Sequence, residues 1–306
     1  MFIPDNELKT NTTGAKVGFE ISLEYQLAKL LWCSETFESN FYNDRAVNDL
    51  EDHTYFTLDN LINNAATLVE YYYSNVIYSL IGTALEAPKK IEFRAFDKNN
   101  YLVRKAKIFK EFKIGELTHG DDDARKKHAA YCNRQFDIYL DFILNGKYDL
   151  LFEINNYVKH NGRLYGFWLK RFSQRSDFYK YHFINFEEQH SFLLKNKTIR
   201  KLLLIDYDEF EEKGVSNYLN KSSYQLLGRY GTFIYFKEED WVFVKGLKRV
   251  GITTLSLITK IHQLSLDILN HLITSKPGQT SIIKKLEFLK DRFEEQMGKL
   301  QVMQNR

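Results

Sequence analysis

Residues 58–87, LDNLINNAATLVEYYYSNVIYSLIGTALEA, decide the fold class of this chain. Leu58, Leu61, Ile62, Ala65, Val69, Tyr72, Val76, Leu80 and Ala84 recur at steps of three and four, the period at which side chains return to one helix face. The pattern predicts one helix of about eight turns that ends before Pro88. Tyr71, Tyr72 and Tyr73 invite comparison with a base-stacking platform, but consecutive helical residues point in three directions, so at least one of them belongs to the core.

The same reading extends outward in both directions. Upstream, Leu23, Leu27, Leu30 and Leu31 mark a short amphipathic helix over 20–41, followed by an acidic, irregular segment from Asn43 to Thr57. Downstream, 89–112 is basic with alternating apolar residues and reads equally as a hairpin or a short helix, with Asp97 to Asn100 as its turn. Helices are expected from Arg125 to Asn145 and, after a pause at Gly146, from Tyr148 to Asn161, with Gly162 suited to the left-handed position that ends a helix. Short β-prone runs then appear, among them GTFIYF (231–236) and WVFVKG (241–246). From Arg249 to Ser275 a broad apolar face predicts a buried helix. Beyond Pro277-Gly278, Ile282, Leu286, Leu289, Phe293, Met297 and Leu300 form a narrow seam suited to a coiled coil or to docking on a neighbour.

The expected fold is therefore mainly α: a helical bundle with a small mixed α/β insertion and a C-terminal amphipathic helix. In these terms 1–162 form the first part of the bundle, 163–247 the insertion, 248–276 the helix that completes the bundle and 277–306 the C-terminal helix. Only three prolines in 306 residues and 44% hydrophobic residues agree with a helix-rich chain that has ample core.

Charge and cysteines narrow the function classes. Forty-three Lys and Arg against 40 Asp and Glu leave a net charge of +3, well short of the excess that marks a dedicated nucleic-acid binder. Cys33 and Cys132 sit in helical patterns and fit reduced thiols in a cytoplasmic protein. The first residues, MFIPDNELKTNTTG, lack the basic and apolar regions of a secretory leader, and no apolar run is long enough to span a membrane.

Most chemical motifs are absent. There is no phosphate-binding Gly-rich loop, no Gly-x-Ser-x-Gly elbow and no His-Glu-x-x-His helix. Asp121, Asp122 and Asp123, with His119 and His128 nearby, suggest a metal site, yet contiguous carboxylates before a helix fit N-terminal capping better. The acidic runs 206–209 and 238–240 read as solvated loop faces rather than magnesium ligands. No metal and no cofactor is expected.

One polar cluster stands out. Asn155-Asn156-Tyr157-Val158-Lys159-His160 places two amides, a lysine and a histidine at the polar end of an apolar helix, with Asn156 and His160 four residues apart on one face. The plain alternative is a last turn in which Lys159 and His160 complement the helix dipole.

This motif resembles that of the HEPN superfamily, helical proteins of prokaryotic defence and toxin–antitoxin systems. Asn156 matches the family's asparagine and His160 its histidine, whereas Asn155 stands where the nuclease members carry arginine. The resemblance implies a homodimer that apposes two motifs and cleaves RNA without metal. A histidine there exchanges protons with the reacting oxygens while a cation stabilises the phosphorane. Asparagine supplies no charge, so Lys159, or Arg163 from a second chain, would take that part as a point charge without the arginine fork. The candidate site residues are thus His160, Asn156, Lys159 and Asn155. The expected partners are RNA, a second copy and a protein bound through the C-terminal helix; the alternative is a non-catalytic assembly module.

Overall fold

A computed structural model describes residues 12–43, 51–81, 91, 93, 101–116, 120–161, 165–171, 179–186, 223–228, 231–236, 241–244, 249–275 and 280–305. Seven helices dominate them: α1 (Thr12–Asn43), α2 (Glu51–Leu80), α3 (Tyr101–Phe112), α4 (Asp122–Leu144), α5 (Asp149–Asn161), α6 (Thr254–Thr274) and α7 (Thr280–Asn305). The chain is mainly α, and none of the described helices is long and apolar enough to cross a membrane.

The central element is α2, which packs on α1, α4, α5 and α6. Its sequence explains this position, because Leu58, Leu61, Ile62, Ala65, Leu68, Val69, Tyr72, Tyr73, Val76, Ile77 and Leu80 are all buried and surround much of the helix. Two of the three consecutive tyrosines are therefore core. Tyr72 donates its hydroxyl to the Tyr139 carbonyl at 3.0 Å, and Tyr73 meets Phe93 edge to face, which removes both from any stacking platform.

Several boundaries differ from the expectation for physical reasons. The first helix is longer than 20–41, and α2 begins at Glu51 inside the segment expected to be irregular. Acidic residues at a helix start are favoured by the dipole, so Glu51 and Asp52 suit a helix N-terminus as well as a loop. The ambiguous basic stretch is helical from Tyr101 to Phe112. There the buried Arg104 donates from Nη1 to the Leu144 carbonyl at 2.8 Å, at the C-terminal end of α4 where carbonyls lack helical partners. The turn expected at Asp97 to Asn100, and His119, lie outside the described residues.

Asp121 caps α4, its Oδ1 accepting from the Ala124 N–H at 2.7 Å, with Asp122 and Asp123 in the first turn paired to Arg125 and Lys127. The three carboxylates thus do helix-start work. Among the described residues no group of three His, Cys, Asp or Glu is placed to hold a metal ion.

Between α5 and α6 the described backbone runs as six strands: β1 (Tyr165–Arg171), β2 (Tyr179–Phe186), β3 (Ser223–Gly228), β4 (Gly231–Phe236), β5 (Trp241–Val244) and β6 (Arg249–Thr253). They pair antiparallel in the order β1-β2-β6-β5-β4-β3. The helix expected from residue 248 accordingly starts at Thr254, the preceding residues being a strand that contains the β-branched Val250, Ile252 and Thr253.

The C-terminal seam is spent within the chain. Leu286, Leu289, Phe293 and Leu300 are buried, and α7 packs on α6 and α1. Ion pairs Lys285–Glu24 (3.0 Å) and Arg292–Glu35 flank the α1 contact. Both pairs are partly exposed, so they add less than the apolar seam.

Candidate functional site at the end of α5

The corner between α4 and α5 sets where the motif sits. α4 ends at Leu144 with Asn145 as its C-cap, and Gly146 turns the chain at φ +94°, a conformation that a side chain would strain. The Lys147 N–H donates to Asn145 Oδ1 at 3.0 Å, and the Asp149 N–H donates to the Gly146 carbonyl at 3.2 Å.

Asp267 of α6 pins this corner, accepting from Lys147 Nζ (2.7 Å), the Tyr148 hydroxyl (2.6 Å) and Gln263 Nε2 (3.0 Å). Burial pushes the Asp267 carboxyl up, but the hydrogen bonds from Lys147, Tyr148 and Gln263 and the Lys147 charge outweigh it and hold the group below its ordinary value. Its contribution is present above that ordinary value and is lost as pH falls through the lowered one. Asp267→Ala strands the Tyr148 hydroxyl, so urea unfolding at pH 7 should show a loss of about 2 kcal/mol. Asp267→Asn, which can still accept from Tyr148, should lose less. Equal stability of Asp267→Ala and wild type would count against this anchor.

From that corner α5 buries Leu151, Phe152, Ile154 and Asn155. Phe152 packs against Phe93 with ring centroids 5.1 Å apart. The helix therefore divides the candidate residues. Asn156 and Lys159 are exposed on its last turns, whereas Asn155 is buried and its Oδ1 has no hydrogen-bond partner among the described residues. The backbone is helical through His160, so Asn156 and His160 share a face. The His160 side chain lies outside the described residues, as do Gly162 and Arg163.

Asn155 consequently cannot stand in for an arginine at a solvent-facing phosphate, because its side chain belongs to the core. Lys159 is the motif cation that α5 presents outward.

A second polar group is fully interior. His262 on α6 is wholly buried, shares a 2.7 Å hydrogen bond between its Nε2 and Ser34 Oγ of α1, and meets Phe293 edge-on at 5.4 Å. Its Nδ1 has no partner among the described residues. A buried unpaired acceptor costs less than a buried unpaired N–H, which places the ring proton on Nε2, donating to Ser34. Burial lowers the His262 pKa to about 4, so the ring is neutral at pH 7. Beside it, Gln26 Nε2 donates to the Asn64 carbonyl and Oδ1, both at 2.9 Å, and Asn64 Nδ2 donates to Cys33 Sγ at 3.7 Å.

Despite its Ser–His pairing this layer is no catalytic dyad, since a substrate cannot reach a side chain without exposed surface. Burial likewise pushes the Cys33 and Cys132 thiols up, away from the reactive thiolate. His262 does not stand out in the sequence, because it lies within a continuous apolar helical pattern. The signal was a polar ring between Ile261 and Leu264 on the buried face.

No family model matches the chain, and no curated protein or solved structure matches it either.

Proposed function

We propose that this chain is a HEPN-like effector that binds or cleaves RNA in the cytoplasm, as part of prokaryotic antiphage defence, and that it acts without metal as a homodimer. The observation that carries the reading is the exposure of Asn156 and Lys159 on the last turns of α5, on a helix that continues through His160. In the proposed chemistry His160 takes the proton of a 2′-hydroxyl, whose oxygen attacks phosphorus while the bond to the 5′-oxygen breaks. The second copy's histidine returns a proton to that leaving oxygen. Asn156 orients the phosphate and Lys159 offsets the developing charge. In this reading the 163–247 segment is a small mixed insertion in the bundle.

A second reading, a non-catalytic helical assembly module with a protein partner at the exposed face of the C-terminal helix, is favoured by one observation. Asn155, in the arginine position, is buried.

Induced expression of wild type and His160→Ala in a bacterial host, with growth and total RNA followed over time, separates the two. RNA fragments and growth arrest are expected only with wild type. The purified variant should keep the wild-type melting temperature, and its cleavage should fall at least about 100-fold, the usual contribution of a general acid–base. Intact RNA and equal growth with both proteins soluble point to the assembly module or to an effector that awaits activation.

A further inference from the structure

The outer face of α1 carries an apolar seam that the described residues leave open. Ile21, Tyr25, Ala28 and Trp32 follow one another at steps of four, three and four, and all are exposed; Tyr25 retains 67% and Trp32 64% of its surface. The opposite face of the same helix, Leu23, Leu27, Leu30 and Leu31, is buried. Phe288 of α7, 63% exposed, extends the apolar surface beside Ala28, across a groove of about 300 Å³ lined also by Glu24, Lys284, Lys285 and Leu289. Exposed aromatic residues gathered on one face mark an interaction surface more often than scattered ones do.

We propose that α1 pairs with α1 of a second copy of this chain, in parallel, about a two-fold axis along the seam. Steps of four and three are what a facing helix needs to insert side chains between side chains. A two-fold pairing also uses the same patch on both copies, so one seam suffices.

Charge sets the direction. In a parallel pair, a residue flanking the seam on one side faces the residue five positions later on the other helix. Glu24 and Lys29 flank this seam on opposite sides and are five apart, so each Glu24, which already holds Lys285 of its own chain at 3.0 Å, shares its carboxylate with Lys29 of the other copy, twice by symmetry. An antiparallel pair would instead set Lys29 near Ser22 and Glu24 near Leu31, with no ion pair formed. Covering Ile21, Tyr25, Trp32 and Phe288 removes on the order of 500 Å² per copy, roughly 1,000 Å² in all, the lower bound for a specific interface. This pairing is independent of RNA chemistry at α5.

Sedimentation equilibrium on the full-length chain tests it. Wild type should dimerise at about 50 micromolar, and Tyr25→Glu/Trp32→Glu should weaken association at least about tenfold. The melting temperature of that variant, extrapolated to the monomer, should hold, because both side chains are exposed. If the double variant does not fold, Ala28→Cys decides. A parallel axis places residue 28 beside its copy, so oxidation should yield a covalent dimer that wild type, with both native cysteines buried, does not form. A wild type that stays monomeric at ~100 micromolar overturns the pairing, as does one that sediments with anionic phospholipid vesicles instead of dimerising. So does a Tyr25→Glu/Trp32→Glu variant that dimerises as wild type, or the absence of an Ala28→Cys crosslink.

Discussion

Phe293→Ala should lower the unfolding free energy by about 3–5 kcal/mol, the usual result of emptying a fully buried aromatic site. The phenyl ring has no exposed surface, and its edge contact with His262 joins α7 to the middle of α6. Truncation removes the burial of the ring and leaves a void that these two rigid helices close only partly, so the transfer and cavity contributions add. In a domain of this size each kcal/mol moves the melting temperature by roughly 2–4 °C, so a drop near 10 °C is expected in a thermal scan. A change below about 1 kcal/mol would mean that α7 docks elsewhere than on its own chain. The experiment thereby separates a seam used internally from one held for a neighbour.

His262 provides the second large effect, and it depends on pH. Burial holds its pKa at about 4 in the folded chain, against about 6.5 when unfolded. The unfolded state therefore binds the proton first as the solution is acidified. The stability associated with the neutral ring is complete above pH 6.5, declines as pH falls below it and is exhausted near pH 4. Across that window the loss should reach about 3 kcal/mol, with burial the sole cause. His271, also lowered chiefly by burial although Asp267 opposes it, contributes in the same direction. Urea midpoints at pH 7, 5.5 and 4.5 should fall steeply for wild type and more gently for His262→Gln, whose amide can keep the Ser34 bond but does not titrate. Parallel profiles for the two proteins would falsify the assignment.

These two residues also show how differently parts of the molecule could be read from the chain. Leu58 to Leu80 was legible because every apolar residue at the helical period is buried in the structure. The same holds for Leu257 to Leu272 and for Leu286, Leu289 and Phe293. Helix ends were harder. α2 starts seven residues before its first periodic leucine, since an amphipathic pattern reports where a helix is buried rather than where its hydrogen bonds begin. The apolar residues of Arg249 to Thr253 merge into the helical pattern that follows, while their β-branching suits the strand they form.

The candidate site divides in the same way. That Asn156 and His160 share a face follows from spacing along a helix, and so did the capping role of Asp121, a short acceptor just before an acidic first turn. The burial of Asn155 could not be obtained from spacing, because it depends on which side of α5 meets its neighbours.

The sequence by itself determined a mainly α chain, the apolar faces of its principal helices and the helix end that carries Asn156, Lys159 and His160. These are local properties, set by the 3.6-residue period and by caps that act within a turn. Only the tertiary structure decided that Asp267 anchors the α4–α5 corner from 120 residues away, that the C-terminal seam folds back onto α6 and α1, and that Ser34 meets His262 across 228 positions. Such pairings arise when whole faces are buried against one another. The free energy of that burial depends on the area the faces cover and is indifferent to their distance along the chain.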